Sequence, residues 1–137
     1  MKRTRIAVYG SLLSGLGNHD VIKRHIMRGG AEFVAEDTIR GFNLYAVSSF
    51  PGIKRHETDP TKEVKVELYD VDESALRSVR MLEGYNPESD HNTFYDEIET
   101  PTDSHGNVKV YLYMPKIYEQ DLVEHGDWRK FVRTRYR

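Results

Sequence analysis

The chain contains no cysteine. That excludes a disulfide framework, a thiolate zinc site and a cysteine nucleophile. It also has no apolar run near the roughly 20 residues that a membrane-spanning helix needs. The N-terminus, Met1-Lys2-Arg3-Thr4-Arg5, is basic, but only Ile6 to Val8 follow as an apolar segment. That is too short for the hydrophobic part of a signal peptide. No charge of one sign dominates: 20 Lys and Arg face 22 Asp and Glu, for a net charge of −2. Such a balance gives no general case for nucleic acid. There is no repeat, low-complexity tract or domain linker. What remains is the expectation of a cytoplasmic globular protein. With 137 residues, 38% of them hydrophobic, the chain is long enough for one domain, 1–137, with a real core.

Against that background one stretch stands out, Ile6-Ala7-Val8-Tyr9-Gly10-Ser11-Leu12. Ile6 to Val8 reads as a buried strand by its length and branching. A buried strand that stops at a glycine can turn its next backbone N–H groups toward one point and form an anion-binding nest. Gly10 lacks a Cβ, so a ligand can approach the main chain closely there. A plain strand-to-turn junction fits the same spacing.

The rest of the chain alternates strands and helices. Asp20 to Arg28 has helical spacing, with Val21, Ile22, His25 and Ile26 on one face. Asn18 or Asp20 is its candidate cap and Gly29-Gly30 its end. Ala31 to Thr38 and Gly41 to Val47 read as strands, and a turn near Arg40-Gly41 would make them a hairpin. Ser48 to Pro60 reads as a loop. Glu63 to Val71 is the clearest alternating segment, with Val64, Val66 and Leu68 on one face and Glu63, Lys65 and Glu67 on the other, and predicts a strand with one wet face. Asp70 or Asp72 caps a helix reaching Glu83, and Gly84 is a natural residue just past its end. Phe94 to Thr100 and Val108 to Met114 are the last strands, followed by a partly helical stretch from Tyr118 to Arg137.

Glu83 is the candidate acid–base residue. A carboxylate in the last helical turn faces the negative end of the helix dipole, which disfavours its charge. Burial beside Leu82 and Tyr85 pushes the same way. Both effects move its pKa toward the range useful near neutrality. An exposed glutamate at a helix end is the plain alternative.

Tyr9-Gly10-Ser11-Leu12, followed by Gly15-x-x-Asn18-His19, resembles the signature of the γ-glutamylcyclotransferase-like superfamily, nearest the γ-glutamylamine cyclotransferase and avirulence-induced-gene-like branch. Leu82-Glu83-Gly84-Tyr85, Tyr111-x-Tyr113 and Gly126-Asp127-Trp128 agree in type and order. The resemblance implies an α+β fold with a mixed, barrel-like sheet and two or three helices. It implies that Glu83 is the catalytic glutamate. It further implies that Tyr9, Gly10, Ser11 and Leu12 hold the substrate through main-chain groups, with one tyrosine, Tyr113 ahead of Tyr111, lining the pocket. Core packing is the alternative for that tyrosine. Relatives also carry an aromatic-proline segment beside the active site, matched here by Phe50-Pro51; an ordinary turn is the other reading.

The implied reaction is a cyclisation. The α-amine of a γ-glutamyl compound attacks the γ-carbonyl and releases 5-oxoproline and an amine or amino acid. It requires no cofactor and no metal. Ser11 has no base at a recognisable spacing, so its hydroxyl reads as a hydrogen-bonding group. One departure stands out: many relatives have arginine after the strand tyrosine, whereas Tyr95 here precedes Asp96 and Glu97.

Other patterns fail. Gly10-x-x-x-x-Gly15 is not a P-loop, because Leu16 and Gly17 replace its lysine and hydroxyl residue. His91 and His105 lie near acidic residues without convincing ligand spacing. The tail, with Arg129, Lys130, Arg133, Arg135, Arg137, Phe131 and Tyr136, reads as a solvated helix face; binding to nucleic acid or an acidic partner is the lesser reading. Two rivals to the enzyme thus stand: a metabolite-binding module of the same fold, and a nucleic-acid-associated accessory protein. The leaving amine, the pathway and the oligomeric state are open.

Overall fold

The computed structural model describes residues 2–135; Met1, Tyr136 and Arg137 of the expected basic N-terminus and helical tail lie outside them. The fold is α+β, with eight strands and three helices among those residues. The strands are β1 (Thr4–Val8), β2 (Ala31–Arg40), β3 (Phe42–Ala46), β4 (Pro51–Arg55), β5 (Glu63–Val71), β6 (Tyr95–Pro101), β7 (Asn107–Tyr113) and β8 (Leu122–Val123). The helices are α1 (Asp20–Met27), α2 (Glu73–Glu83) and α3 (Trp128–Arg135).

Five strands form one sheet in the order β2-β5-β1-β7-β6, and three form another in the order β4-β3-β8. The larger sheet is mixed: β1 runs parallel to β7 and every other neighbour is antiparallel. It curls until its two edges touch at a single bridge, Ile39 to Thr102, and it does not close into a barrel. The core fills the curl with Ile6, Val8, Ile22, Leu44, Ile53, Leu68, Val79 and Val110, all 3% exposed or less.

Three expectations about the strands do not hold in full. β2 and β3 are not a hairpin: β2 pairs with β5, whereas β3 pairs with β4 and β8. Gly41, at φ +88°, turns the chain from one sheet to the other. The stretch expected as a loop contains β4, whose first residue, Pro51, sits on an edge strand where a missing N–H is tolerated. The wet face expected for β5 is confined to Glu63 and Lys65. Glu67 is buried, because its carboxylate accepts hydrogen bonds from Ser14, Tyr69 and Arg129.

α2 carries the candidate base, and its ends follow from the sequence. The Asp72 side chain accepts from the Ala75 N–H at 2.9 Å and starts the helix; Gly84, at φ +67°, ends it in the left-handed conformation. Register explains where the helix goes. Val71, at the end of β5, lies beside Thr4, at the start of β1. The chain then reverses into α2, and eleven residues at the helical rise cover about 16 Å, close to the length of β1. Glu83 therefore arrives at the level of the loop that follows β1. α1 braces α2 from outside, through Arg28 to Asp72 at 2.9 Å and His25 to Ser78 at 2.9 Å. His25 is thus a packed histidine. The expected Asn18 or Asp20 cap of α1 is absent: His19 occupies the cap position, its side chain makes no capping hydrogen bond, and the Asn18 amide is used elsewhere. No helix among the described residues is long and apolar enough to cross a membrane.

Candidate active site

The loop after β1 is held by its carbonyls. Leu13 N–H donates to the Gly10 oxygen at 2.9 Å, Asn18 N–H to the Ser11 oxygen at 2.9 Å, and His19 Nδ1 to the Leu12 oxygen at 2.9 Å. The Asn18 amide also donates to the Ser11 hydroxyl at 2.9 Å. With these acceptors satisfied, the N–H groups of Ser11 and Leu12 donate to no described residue. That is the arrangement a nest requires. Asn18 and His19, which stand at fixed spacing in the sequence, are the braces that produce it.

The loop and Glu83 line one cavity. Its inner part, of about 30 Å³, is bounded by Tyr9 to Leu12, Phe50, Pro51, Glu83, Tyr95 and Tyr111. It opens into a wider space of about 480 Å³ that shares Ser11, Phe50, Glu83 and Tyr95 with it and adds Asn18, Ser49, Leu82, Gly84 and Phe94. Among the described residues no donor reaches the Glu83 carboxylate. Loss of water around it raises its pKa from the ordinary 4.5 to about 7. A half-buried carboxylate without partners is costly in the charged state, and such groups concentrate at functional sites.

Each expected site residue has a definite position. Tyr9 is buried, and its hydroxyl donates to the Tyr111 main-chain oxygen at 2.7 Å, so its own side chain is committed to the fold. Gly10 lines the cavity, but the space its Cβ would take is filled by the Pro51 ring. Its glycine identity therefore has a packing reason beside the expected open approach of a ligand. Tyr113 is not among the residues lining the cavity. It stands behind, edge-on to Tyr95 at 5.3 Å between ring centres and against Gly52, where an added Cβ would meet the Tyr113 Cβ at 2.6 Å. Tyr95 and Tyr111 form the wall instead, and sequence spacing could not rank Tyr111 over Tyr113 because both face the same side of β7.

The departure at Asp96 and Glu97 has a structural counterpart. Glu97 is buried and paired with Arg80 of α2 at 2.7 Å, with Lys109 at 3.3 Å, and it accepts from the Tyr111 hydroxyl at 2.8 Å. Burial opposes its charge, but the Arg80 and Tyr111 hydrogen bonds outweigh this and hold its carboxyl below the usual range. The pair fixes the Tyr111 ring in the cavity wall. In the tail, Trp128 is buried and stacks on Phe131 at 5.1 Å, and Arg129 binds Glu67. His105 pairs with Asp37 at 2.6 Å.

An α+β domain with a concave site that joins a carboxylate titrating near neutrality to a loop of spare main-chain donors is the framework of a small-molecule acid–base site. Residues 6–130 match the model of the γ-glutamyl cyclotransferase, AIG2-like family, and the chain belongs to that family. A provisionally named gamma-glutamylcyclotransferase of Pyrococcus horikoshii is 34% identical over 82 residues, which span 60% of this chain and 61% of that relative's length. The crystal structure of the P. horikoshii protein superposes with a TM-score of 0.72 at 26% identity, covering 97% of this chain and 96% of that one. The Escherichia coli protein ytfP follows at 0.65 and 26%, covering 91% and 96%. A mouse AIG2-like protein, at 0.67 and 22% over 93% and 89%, shares the fold.

Proposed function

We propose that this protein is a cofactor-independent γ-glutamyl cyclotransferase in which Glu83 is the acid–base group. The observation that carries the reading is the pairing, in one cavity, of a partnerless carboxylate of pKa about 7 with a loop whose carbonyls are used and whose Ser11 and Leu12 N–H groups are spare.

The chemistry needs little more. A γ-glutamyl amide carries its own nucleophile, so the protein gains by holding the folded-back conformer. Glu83 takes a proton from the substrate α-ammonium. The freed amine attacks the γ-carbonyl, and the carbonyl oxygen gains negative charge against the spare N–H groups of the loop. Glu83 returns its proton to the leaving nitrogen as the old C–N bond breaks. The second proton lost by the ring nitrogen goes to the released amine. The products are 5-oxoproline and an ammonium, with no net proton consumed. The Ser11 hydroxyl, engaged by Asn18, acts as a brace.

The test is incubation with a panel of γ-glutamyl compounds, with 5-oxoproline as the readout. Release from at least one compound, lost in Glu83→Gln, supports the reading. Absence of 5-oxoproline from every compound, with saturable binding of one, would favour a metabolite-binding module. The Asp96-Glu97 departure and the commitment of Glu97 to Arg80 favour that second reading.

A further inference from the structure

A second cavity, of about 260 Å³, lies beyond Leu13, between β2, β5 and α3. It shares no lining residue with either part of the candidate active site. Four acids and four bases border it, but they are not equally available. Three of the acids are spent. Asp37 is held by His105 at 2.6 Å and by the Thr38 and Ser104 N–H groups. Glu67 accepts from Ser14, Tyr69 and Arg129, which spends Arg129 in turn. Asp127 accepts from the Lys130 N–H at 3.1 Å, at the start of α3.

The remaining bases are free or nearly so. Lys130 and Arg133 stand three apart on α3, and so share a face, and neither side chain has a partner among the described residues. Lys65 of β5 donates to the Thr38 hydroxyl at 3.2 Å and lies 3.7 Å from Glu63, a carboxylate already bound by Arg40 at 3.0 Å. Against these three cations the cavity offers one unpartnered acid, Glu36. Cations gathered at one concave place repel each other and raise the local concentration of anions.

We propose that this cavity binds a small free dianion, of the phosphate or dicarboxylate class, between Lys65, Lys130 and Arg133. Both classes offer what the site needs: two negative charges and several acceptor oxygens within one small body. The Arg133 fork and the two ammonium groups then make charge-assisted hydrogen bonds to it. Two charges also balance the surplus of free cations over Glu36, whereas a monoanion leaves part of the repulsion in place. A long polyanion is a poorer fit, because it would have to run past Glu36. The site stands apart from the cyclotransferase reading and does not depend on it.

The experiment titrates ¹⁵N-labelled protein at pH 7.5 and constant ionic strength with inorganic phosphate, malonate or acetate. The expected result is a saturable shift of the Leu13, Val66, Glu67 and Lys130 amide signals by at least one dianion, with a Kd of about 1 mM or tighter. Acetate should bind at least about tenfold more weakly. Whichever dianion binds more tightly names the ligand class. The double variant Lys130→Met, Arg133→Met should weaken binding at least about tenfold. Glu36→Gln removes the one free anion and should tighten binding about two- to threefold. All three positions are exposed, and thermal melts confirm that the variants fold. No saturable shift by either dianion would overturn the inference. So would shifts confined to Ser11 and Leu12, since the anion would then have chosen the spare N–H groups of the active-site loop. An affinity that either variant leaves unchanged would also overturn it. A single-stranded oligonucleotide that displaces the dianion from these residues at lower concentration would give the site to a polymer, and the small-ligand inference would fall.

Discussion

Arg129 holds Ser14. Its Nη2 donates to the Ser14 main-chain oxygen at 2.7 Å, to the Ser14 hydroxyl at 3.1 Å and to the buried Glu67 carboxylate at 3.0 Å. The first residue of α3 but one is thus fastened to the far end of the loop that carries the spare N–H groups. Burial alone would raise the Glu67 pKa, but the hydrogen bonds from Ser14, Arg129 and Tyr69 bring it below the ordinary 4.5.

Arg129→Met should therefore destabilise the fold by about 2–4 kcal/mol at pH 7, since it leaves a buried charge without its cation. The sign with pH follows. A depressed carboxyl contributes stability above its unfolded pKa and loses it as pH falls. The cost of the variant should then shrink as pH falls through the ordinary 4.5 toward the lower value that Glu67 has in the folded protein, below which it is protonated in both states. Urea melts at pH 7 and pH 4 measure it; an equal cost at both would mean that Arg129 acts only by packing.

Glu83→Gln should stabilise the protein and stop turnover. A carboxyl whose pKa rises on folding costs stability above its folded pKa and costs nothing below its unfolded one. With a shift from 4.5 to about 7, the variant should gain most at pH 8 and lose the gain toward pH 4.5. The gain should be about 2–3 kcal/mol at pH 8. Turnover should drop by about 10²–10⁴-fold, the usual share of a general acid–base group. Ser11→Ala should cost less, because the main-chain donors remain. Thermal melts and 5-oxoproline release on the same samples check both. Near-normal turnover in folded Glu83→Gln would remove Glu83 as the base.

The rate should climb with pH through about 7, as the Glu83 carboxylate becomes free to accept a proton. A kcat/KM profile from pH 5 to 8.5 reads this directly. A profile flat across that span would disconnect the rate from this carboxyl.

Gly10→Ala should destabilise by about 1–3 kcal/mol, since the added methyl meets the Pro51 ring and a packed site has no slack. Activity should fall with it, because Pro51 and Gly10 both line the cavity. Denaturation midpoints and turnover, compared with the double variant Gly10→Ala, Pro51→Ala, test the cause. Recovery of stability in the double variant identifies the clash.

The cyclisation has no step that calls for a Lewis acid. A chelator should leave 5-oxoproline release unchanged; loss of release, restored by a divalent ion, would contradict this.

What could be read from the sequence was what is written locally. Asp72 and Gly84 announce both ends of α2 because cap and left-handed turn are decided within a few residues. Alternation marks β5 from Glu63 to Val71 for the same reason. Partners were not legible. A glycine at φ +88° looks the same in a hairpin and in a crossing between sheets, so Gly41 misled until β5 claimed β2. Of the candidate site, the cavity-lining positions of Glu83 and Tyr9 to Leu12 were legible from short motifs. Arg129 and Ser14, 115 residues apart, carry no local mark of their contact. Nor does the period of two along β7 say that Tyr111 lies nearer the cavity than Tyr113.

The single parallel pairing of the large sheet, between β1 and β7, also sets an order of events for a chain being made. β1 leaves the ribosome well before its parallel neighbour, and the tyrosine oxygen that receives Tyr9 comes 102 residues later. At about 5–20 residues per second, that is a wait of roughly 5–20 seconds. Until then Ile6, Ala7 and Val8 have one free edge, open to pairing with other chains. Contacts of such long separation are also slow to close once the chain is complete. The cavity can be assembled only after β7 has been synthesised, so a chain halted before that strand would carry the Tyr9 to Leu12 motif and no site.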